Sequence, residues 1–168
     1  MTSNNASSAD NQQERSEFIG WVIGYVDGEG CFSVSLIKNK TTKTGWQVFP
    51  EFVVTQGEKS VNTLEEIKSF FGCGNIFINR RKDNHKENIY RYCVRSRKDL
   101  IEKIIPFFST HKLRSAKKDD FNKFVSIIKL MEKNCHQSLS GTKTIARTIA
   151  TMNRRKKPKI LESSETTR

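Results

Sequence analysis

Apolar residues at Phe18, Ile19, Val22, Ile23 and Val26 recur at helical spacing and predict a first helix that stops at the Gly28-Glu29-Gly30 turn. The period then changes to two. Phe32, Val34 and Leu36 alternate with Ser33, Ser35 and Ile37, a strand with one apolar face. Residues Lys38 to Gly45 predict a loop, and Val48 to Gln56 a second strand. Val61, Leu64, Ile67 and Phe71 line one face of a helix over Ser60 to Phe71, ended by Gly72. Asn75 to Arg81 alternates again, with Ile76 and Ile78 on one side, followed by a polar hairpin loop over Lys82 to Asn88. A fourth strand, Ile89 to Arg95, sets Tyr90, Tyr92 and Val94 against Arg91, Cys93 and Arg95. Helices follow around Lys98 to Ile105, over Ser115 to Glu132, and in a last segment carrying Ile145, Ile149 and Met152. Paired strands separated by helices predict an α+β fold: an antiparallel sheet with its helices on one face.

Tails flank this pattern. Residues 1–15 are rich in Ser, Asn and Gln and predict a disordered lead, with a single domain over 16–153. Beyond Asn153 a basic run, Arg154 to Lys159, and a polar end predict a flexible tail over 154–168. No apolar run approaches the ~20 residues of a membrane-spanning helix, and no signal peptide is visible at the start. The cysteines at 31, 73, 93 and 135 contain no C-x-x-C pair, which argues against a structural zinc site and for reduced thiols in an intracellular, reducing compartment.

Charge changes the picture more. Lys plus Arg number 30 against 18 acids, a formal net charge of +12 over 168 residues. Such an excess attracts polyanions, nucleic acid first. It is concentrated: residues 80–118 hold 13 Lys or Arg and four acids. The non-core strand positions carry Ser33, Ser35, Glu51, Thr55, Asn75, Asn79, Arg81, Arg91 and Arg95, side chains of the types that contact phosphates and base edges. Phe49, Val53 and Phe77 share their parity and suit thymine methyls or sugars. A one-residue slip of register would exchange the two faces.

The first helix has a second feature. Gly20, Gly24 and Gly28 recur every four residues on one side. Each costs about 1 kcal/mol against alanine inside a helix. Close approach of another backbone would account for them: either the domain's own sheet or, since the chain holds one such helix, the same helix of a second copy in a two-fold dimer. Asp27 and Glu29 sit at this helix's end, where carbonyls already carry partial negative charge. Carbonyl and carboxylate oxygens together suit a hard cation such as Mg²⁺; equally, Asp27 can bond nearby backbone and Glu29 can be solvated.

Val22-Ile23-Gly24-Tyr25-Val26-Asp27-Gly28-Glu29-Gly30, followed by Cys31-Phe32-Ser33-Val34, resembles the motif of the LAGLIDADG homing endonucleases. Phe52-Val53-Val54-Thr55-Gln56 is similar to the end of that family's second strand. Pro106-Phe107-Phe108 with Leu113-Arg114-Ser115-Ala116-Lys117-Lys118-Asp119-Asp120-Phe121 is similar to its basic segment and next helix. His136 and the Gly141 to Arg154 segment resemble single-motif members encoded in group I introns. Val22-Ile23 replaces the usual Leu-Ala.

The resemblance implies an αββαββα fold whose saddle-shaped sheet lies on duplex DNA. It also implies a homodimer that makes a metal-dependent double-strand break with short 3′ overhangs in a long pseudo-palindromic site. By that resemblance Glu29 is the catalytic, metal-binding acid, with the Gly28 carbonyl as a further ligand of Mg²⁺, or of Mn²⁺ or Ca²⁺ in its place. Lys117 supports the transition state or grips a phosphate, with Lys118 and Arg114 as neighbours able to take the role. Gln56 lies near the attacking water. Gly20, Ile23, Gly24, Asp27 and Gly28 form the dimer interface. Ile37, Asn39, Cys93, Arg114 and Lys118 complete the DNA-contacting set. The resemblance implies a host compartment that is a bacterial cytoplasm or an organelle, without deciding between them. Two other activities fit the same fold: a maturase acting on its own intron RNA, and a DNA-binding regulator that does not cut.

Overall fold

The computed structural model of the chain describes residues 4–80, 87–153 and 158–162. Arg81, most of the polar hairpin loop and the Arg154 to Lys157 run lie outside the described residues. The first helix, α1 (Asn4–Glu29), leads into β1 (Gly30–Lys38) and β2 (Trp46–Gly57). Then come α2 (Val61–Phe71), β3 (Asn75–Asn79) and β4 (Ile89–Val94). A continuous helical stretch follows: α3 (Arg97–Asp99), a π turn over Leu100–Ile104, and α4 (Ile105–Thr110). The chain closes with α5 (Lys117–Glu132), α6 (Leu139–Ile149) and the short α7 (Lys159–Glu162). All strand pairs are antiparallel and the sheet order is β1-β2-β4-β3.

The elements form where the periods change. Gly72 ends α2 in the left-handed region at φ 58°, its N–H donating to the Lys68 carbonyl. Gly30 marks the passage from α1 to β1. A Cβ there would lie 2.6 Å from Val26 Cγ1 and 2.8 Å from the Val26 carbonyl, so only glycine lets the chain turn this sharply out of the helix.

The register sets the core face of the sheet. Phe32 opposes Phe52, and Phe52 in turn opposes Val94. Phe32, Phe52, Val54, Tyr92 and Val94 are fully buried. Phe32 is a hub whose ring contacts those of Phe52, Phe108, Phe121 and Phe124 at 5.0–5.6 Å. It joins the sheet to α4 and α5 and so fixes where α5 begins. On α1, Val22 and Val26 face this core, while Ile19 and Ile23 are half-buried beside an open groove shared with Gly20 and His111.

Four details depart from the sequence pattern. Helix α1 begins at Asn4, inside the segment expected to be a disordered lead. Helical structure resumes beyond Asn153: α7 buries Ile160 to 2% exposure, an anchor inside the expected flexible tail. Ile78, expected on the core side, is half exposed. Met152 lies not in the last helix but in the turn after it, where its side chain is still buried.

Candidate active site

The end of α1 meets the start of α5. Asp27 and Glu29 point to different fates. One oxygen of the Asp27 carboxylate accepts from the Arg114 N–H at 2.9 Å and the Ser115 N–H at 3.0 Å; the other accepts from the Ser115 hydroxyl at 2.6 Å. This clamp ties α1 to the turn before α5. Burial opposes the charge of Asp27. The Ser115 hydroxyl, the two backbone N–H groups and nearby Lys117 outweigh it and hold the carboxyl below its ordinary range. Asp27 therefore positions backbone, and its oxygens are engaged within its own chain.

Its stabilisation is complete above the ordinary carboxylate range, about pH 4, and is lost as pH falls through the still lower value of the folded carboxyl. Asp27→Asn is expected to cost about 1 kcal/mol at neutral pH. Denaturation midpoints of the two proteins should converge below about pH 4; a gap constant with pH would assign the effect to shape rather than charge.

Glu29 is exposed, and among the described residues its carboxylate has no hydrogen-bond or ion-pair partner. Lys117, at the first turn of α5, reaches the same helix end. Its ammonium donates to the carbonyls of Val26 at 3.0 Å and Gly28 at 3.1 Å, two of the carbonyls that α1 leaves unpaired. Burial lowers its pKa, against the charges of Cys31, Asp27, Glu29 and Asp120. Lys117 thus occupies the helix end that carries Glu29, whereas Lys118 and Arg114 are exposed beside it. Gln56 is half-buried with the parity of Phe52 and Val54, and no hydrogen bond among the described residues joins it to Glu29 or Lys117.

The donors fit a hard cation in part. They are oxygens at the same helix end: the exposed Glu29 carboxylate and the Gly28 carbonyl, which here accepts from the Lys117 ammonium. Among the described residues no cluster of three or more His, Cys, Asp or Glu exists to complete a site. One chain therefore offers half a set. The glycine side of α1 leads in the same direction: a Cβ at Gly20, Gly24 or Gly28 would meet nothing within 4 Å. These glycines do not pack on the domain's own sheet.

The non-core face of the sheet shows the expected register. Ser33 opposes Glu51, Ser35 opposes Phe49, Ile37 opposes Gln47, Thr55 opposes Arg91, and Phe77 opposes Arg91 from the other side. Ser35, Ile37, Asn75, Phe77 and Asn79 are exposed, and Ser33, Thr55 and Arg91 half-buried. Three members of the face have almost no surface to offer a partner: Glu51 is 8%, Val53 5% and Cys93 2% exposed. Glu51 is instead paired with Arg91 at 2.9 Å and with Arg95. The side chain of Asn39 is engaged as well, accepting from the Thr41 N–H and hydroxyl and donating to Gln47 in the β1–β2 turn.

Two contributors have no local sequence signal. Asn153, at φ 46°, donates from its side chain to the Phe32 carbonyl at 3.0 Å and takes the Asp120 carboxylate on its own N–H at 3.1 Å. It pins the chain after α6 to β1 and α5, beside Cys31. Ser115 is the other, as the hydroxyl half of the Asp27 clamp.

Comparison with known proteins bears on this geometry. The sequence model described as LAGLIDADG endonuclease matches residues 22–128. The chain is 31% identical over 135 residues to the probable intron-encoded endonuclease 3 of Neurospora crassa, covering 79% of this chain and 24% of that protein. The chain thus spans about a quarter of the length of that curated relative. It superposes on the crystal structure of a homing endonuclease, I-TnaI, with TM-score 0.76 and 35% identity, over 89% of this chain and 97% of the other. I-SmaMI, bound to uncleaved DNA target in the presence of calcium ions, superposes with TM-score 0.76 and 31% identity, over 86% of this chain and 48% of the other.

Proposed function

The chain belongs to the LAGLIDADG endonuclease family, and from that premise we propose that it is a homing endonuclease that cuts both strands of duplex DNA as a homodimer. The observation that carries this reading is the end of α1. A free, exposed Glu29 carboxylate stands beside the Lys117 ammonium, at the end of a helix whose glycine face is open. Two copies meeting on that face bring two such ends together. Like charges so close call for cations between them.

In this mechanism the Glu29 carboxylate of each copy would hold a divalent cation, with the Gly28 carbonyl, which also accepts from Lys117, as a further oxygen donor. When bound, such an ion supplies Lewis-acid polarisation of the scissile phosphate. Mg²⁺ suits the oxygen donors, and calcium accompanies the DNA-bound relative I-SmaMI. Lys117 is held by two carbonyls at a fixed point, and its positive charge faces the charge that develops on the phosphate. The sheet, with Ser33, Ser35, Thr55, Asn75, Asn79 and Arg91 on its non-core face, lies along the duplex. Arg114 and Lys118 flank it as phosphate contacts, and Gln56, half-buried on β2, is the residue assigned to the attacking water. A two-fold dimer reads a pseudo-palindromic target. Cuts across the minor groove leave short 3′ overhangs. The intron-encoded name of the Neurospora crassa relative supports an intron-borne reading frame; that the intron is of group I type, in an organelle or bacterium, is part of the proposal. Among the described residues no helix is long and apolar enough to cross a membrane.

The test uses the whole chain, Mg²⁺ and a plasmid library randomised over ~20 base pairs, the scale of a dimer spanning two half-sites one helical turn apart. The expected result is enrichment of one pseudo-palindromic sequence, linearised with 3′ overhangs. Failure to linearise any member, with stimulation of intron RNA splicing by the same protein, would replace this reading with the maturase.

A further inference from the structure

At the middle of the non-core sheet face stands a group that duplex binding in general does not require. Glu51, on β2, is nearly buried, and each of its oxygens takes one guanidinium. Arg91 Nη2 donates to Oε1 at 2.9 Å, and Arg95 Nε donates to Oε2. The Arg95 guanidinium lies 4.6 Å from the centroid of Phe77 and 5.7 Å from that of Phe49. Both arginine side chains keep nearly two-fifths of their surface, against 10% for that of Glu51. The hydrogen bond to Glu51 holds the Arg95 guanidinium above its ordinary pKa.

A carboxylate placed so deeply is costly unless fully paired. Its presence in a basic surface weakens attraction to phosphate, since it cancels one of two positive charges. What the arrangement supplies is orientation. A free arginine side chain carries about 2 kcal/mol of rotamer entropy, much of it lost when it docks. Here the Nε edge of Arg95 is spent on Glu51, and the guanidinium carbon lies over the ring of Phe77. Its terminal Nη pair has only the Cys93 sulfur, 4.0 Å from Nη2, as a partner among the described residues. A planar two-donor fork fixed in direction matches the N7 and O6 acceptors of guanine in the major groove.

We infer that Glu51, Arg91 and Arg95 form one pre-oriented unit that reads guanine, with Glu51 as a positioning residue and Phe77 and Phe49 as its support. This rests on the proposed DNA-cutting function and deepens it. The unit revises the expected roles of two residues. Glu51 does not meet a base, and Phe77 supports an arginine rather than packing on thymine.

The experiment selects bound duplexes from a randomised library with the whole wild-type chain, Glu51→Gln and Arg95→Lys, and measures the salt dependence of binding to a non-selected duplex. Wild type should fix G·C at one or two positions in each half-site. Glu51→Gln frees both arginines. It should lose roughly 10- to 100-fold of selectivity at those positions alone. Its log–log salt slope should steepen by about 0.9 for each phosphate newly gripped. Arg95→Lys keeps the charge but loses the planar fork. It should relax the same G·C position with the slope unchanged, and its exposed position makes it the safer variant for folding. A Glu51→Gln profile identical to wild type, or variants that change the slope without changing base preference, would make the cluster a structural tie or a phosphate clamp and overturn the inference. A wild-type protein that enriches no duplex would overturn the DNA-cutting function itself, a separate outcome.

Discussion

The variant Glu29→Gln is expected to bind the selected duplex with near wild-type affinity and to cut it at least ~10²- to 10³-fold more slowly. The substitution conserves volume and removes one negative charge. Folding should not suffer, because the Glu29 carboxylate is exposed and has no partner among the described residues. Binding should not suffer either, since the change leaves the basic surface one charge more attractive to DNA. Only the ability to share a cation at the α1 end is lost. Asp27→Asn is the matched control: two residues away and equally isosteric, it alters a carboxylate whose oxygens are engaged by Arg114 and Ser115. Gel-shift and cleavage time courses on one duplex separate binding from chemistry. Cleavage by Glu29→Gln at the wild-type rate would remove Glu29 from the mechanism.

A second large effect is expected at the glycine face. Gly24→Leu should convert the proposed dimer into a folded monomer that binds weakly and makes no double-strand break. Within the single chain a Cβ at Gly24 meets nothing within 4 Å, and leucine is favoured over glycine in a helix by about 0.8 kcal/mol. The monomer's thermal midpoint should therefore stay level or rise while its sedimentation coefficient falls. That combination is diagnostic. A substitution that harms a core lowers the midpoint, whereas one that blocks the approach of a second helix does not. Persistence of a dimer in Gly24→Leu would move the interface elsewhere.

Much of this molecule is legible in its sequence, and the parts that are not share a cause. The sheet face assigned from alternation is the face the register forms, since Phe32, Phe52 and Val94 lie in one row on the core side. Helix α2 ends at Gly72 as its pattern predicts. The tail is the weaker reading: Ile160 is one apolar residue in a polar run, and no periodicity announces that it will be buried. Ile78 errs the other way. Its parity points coreward, yet it keeps half its surface, and β3 pairs only with β4. At the site the split is sharper. Asp27 and Glu29 carry the same charge on the same turn, and nothing local separates the clamp from the free acid.

The sequence by itself determined most of the helices and strands, which side of β1 and β2 turns to the core, and that one helix carries an unusually bare side. These follow from sterics that act between near neighbours: the helical and strand periods, and the conformational freedom of glycine. The tertiary structure alone decided partners. It brought Ser115 to Asp27 across 88 positions and Lys117 to the Gly28 carbonyl across 89. It joined Glu51 to Arg91 across 40, through a strand register. Side-chain bonds of that reach depend on how whole elements dock, which is set by the phenylalanine core around Phe32. Long-range packing, not local propensity, therefore selected which acid stays free and which arginine is held in place.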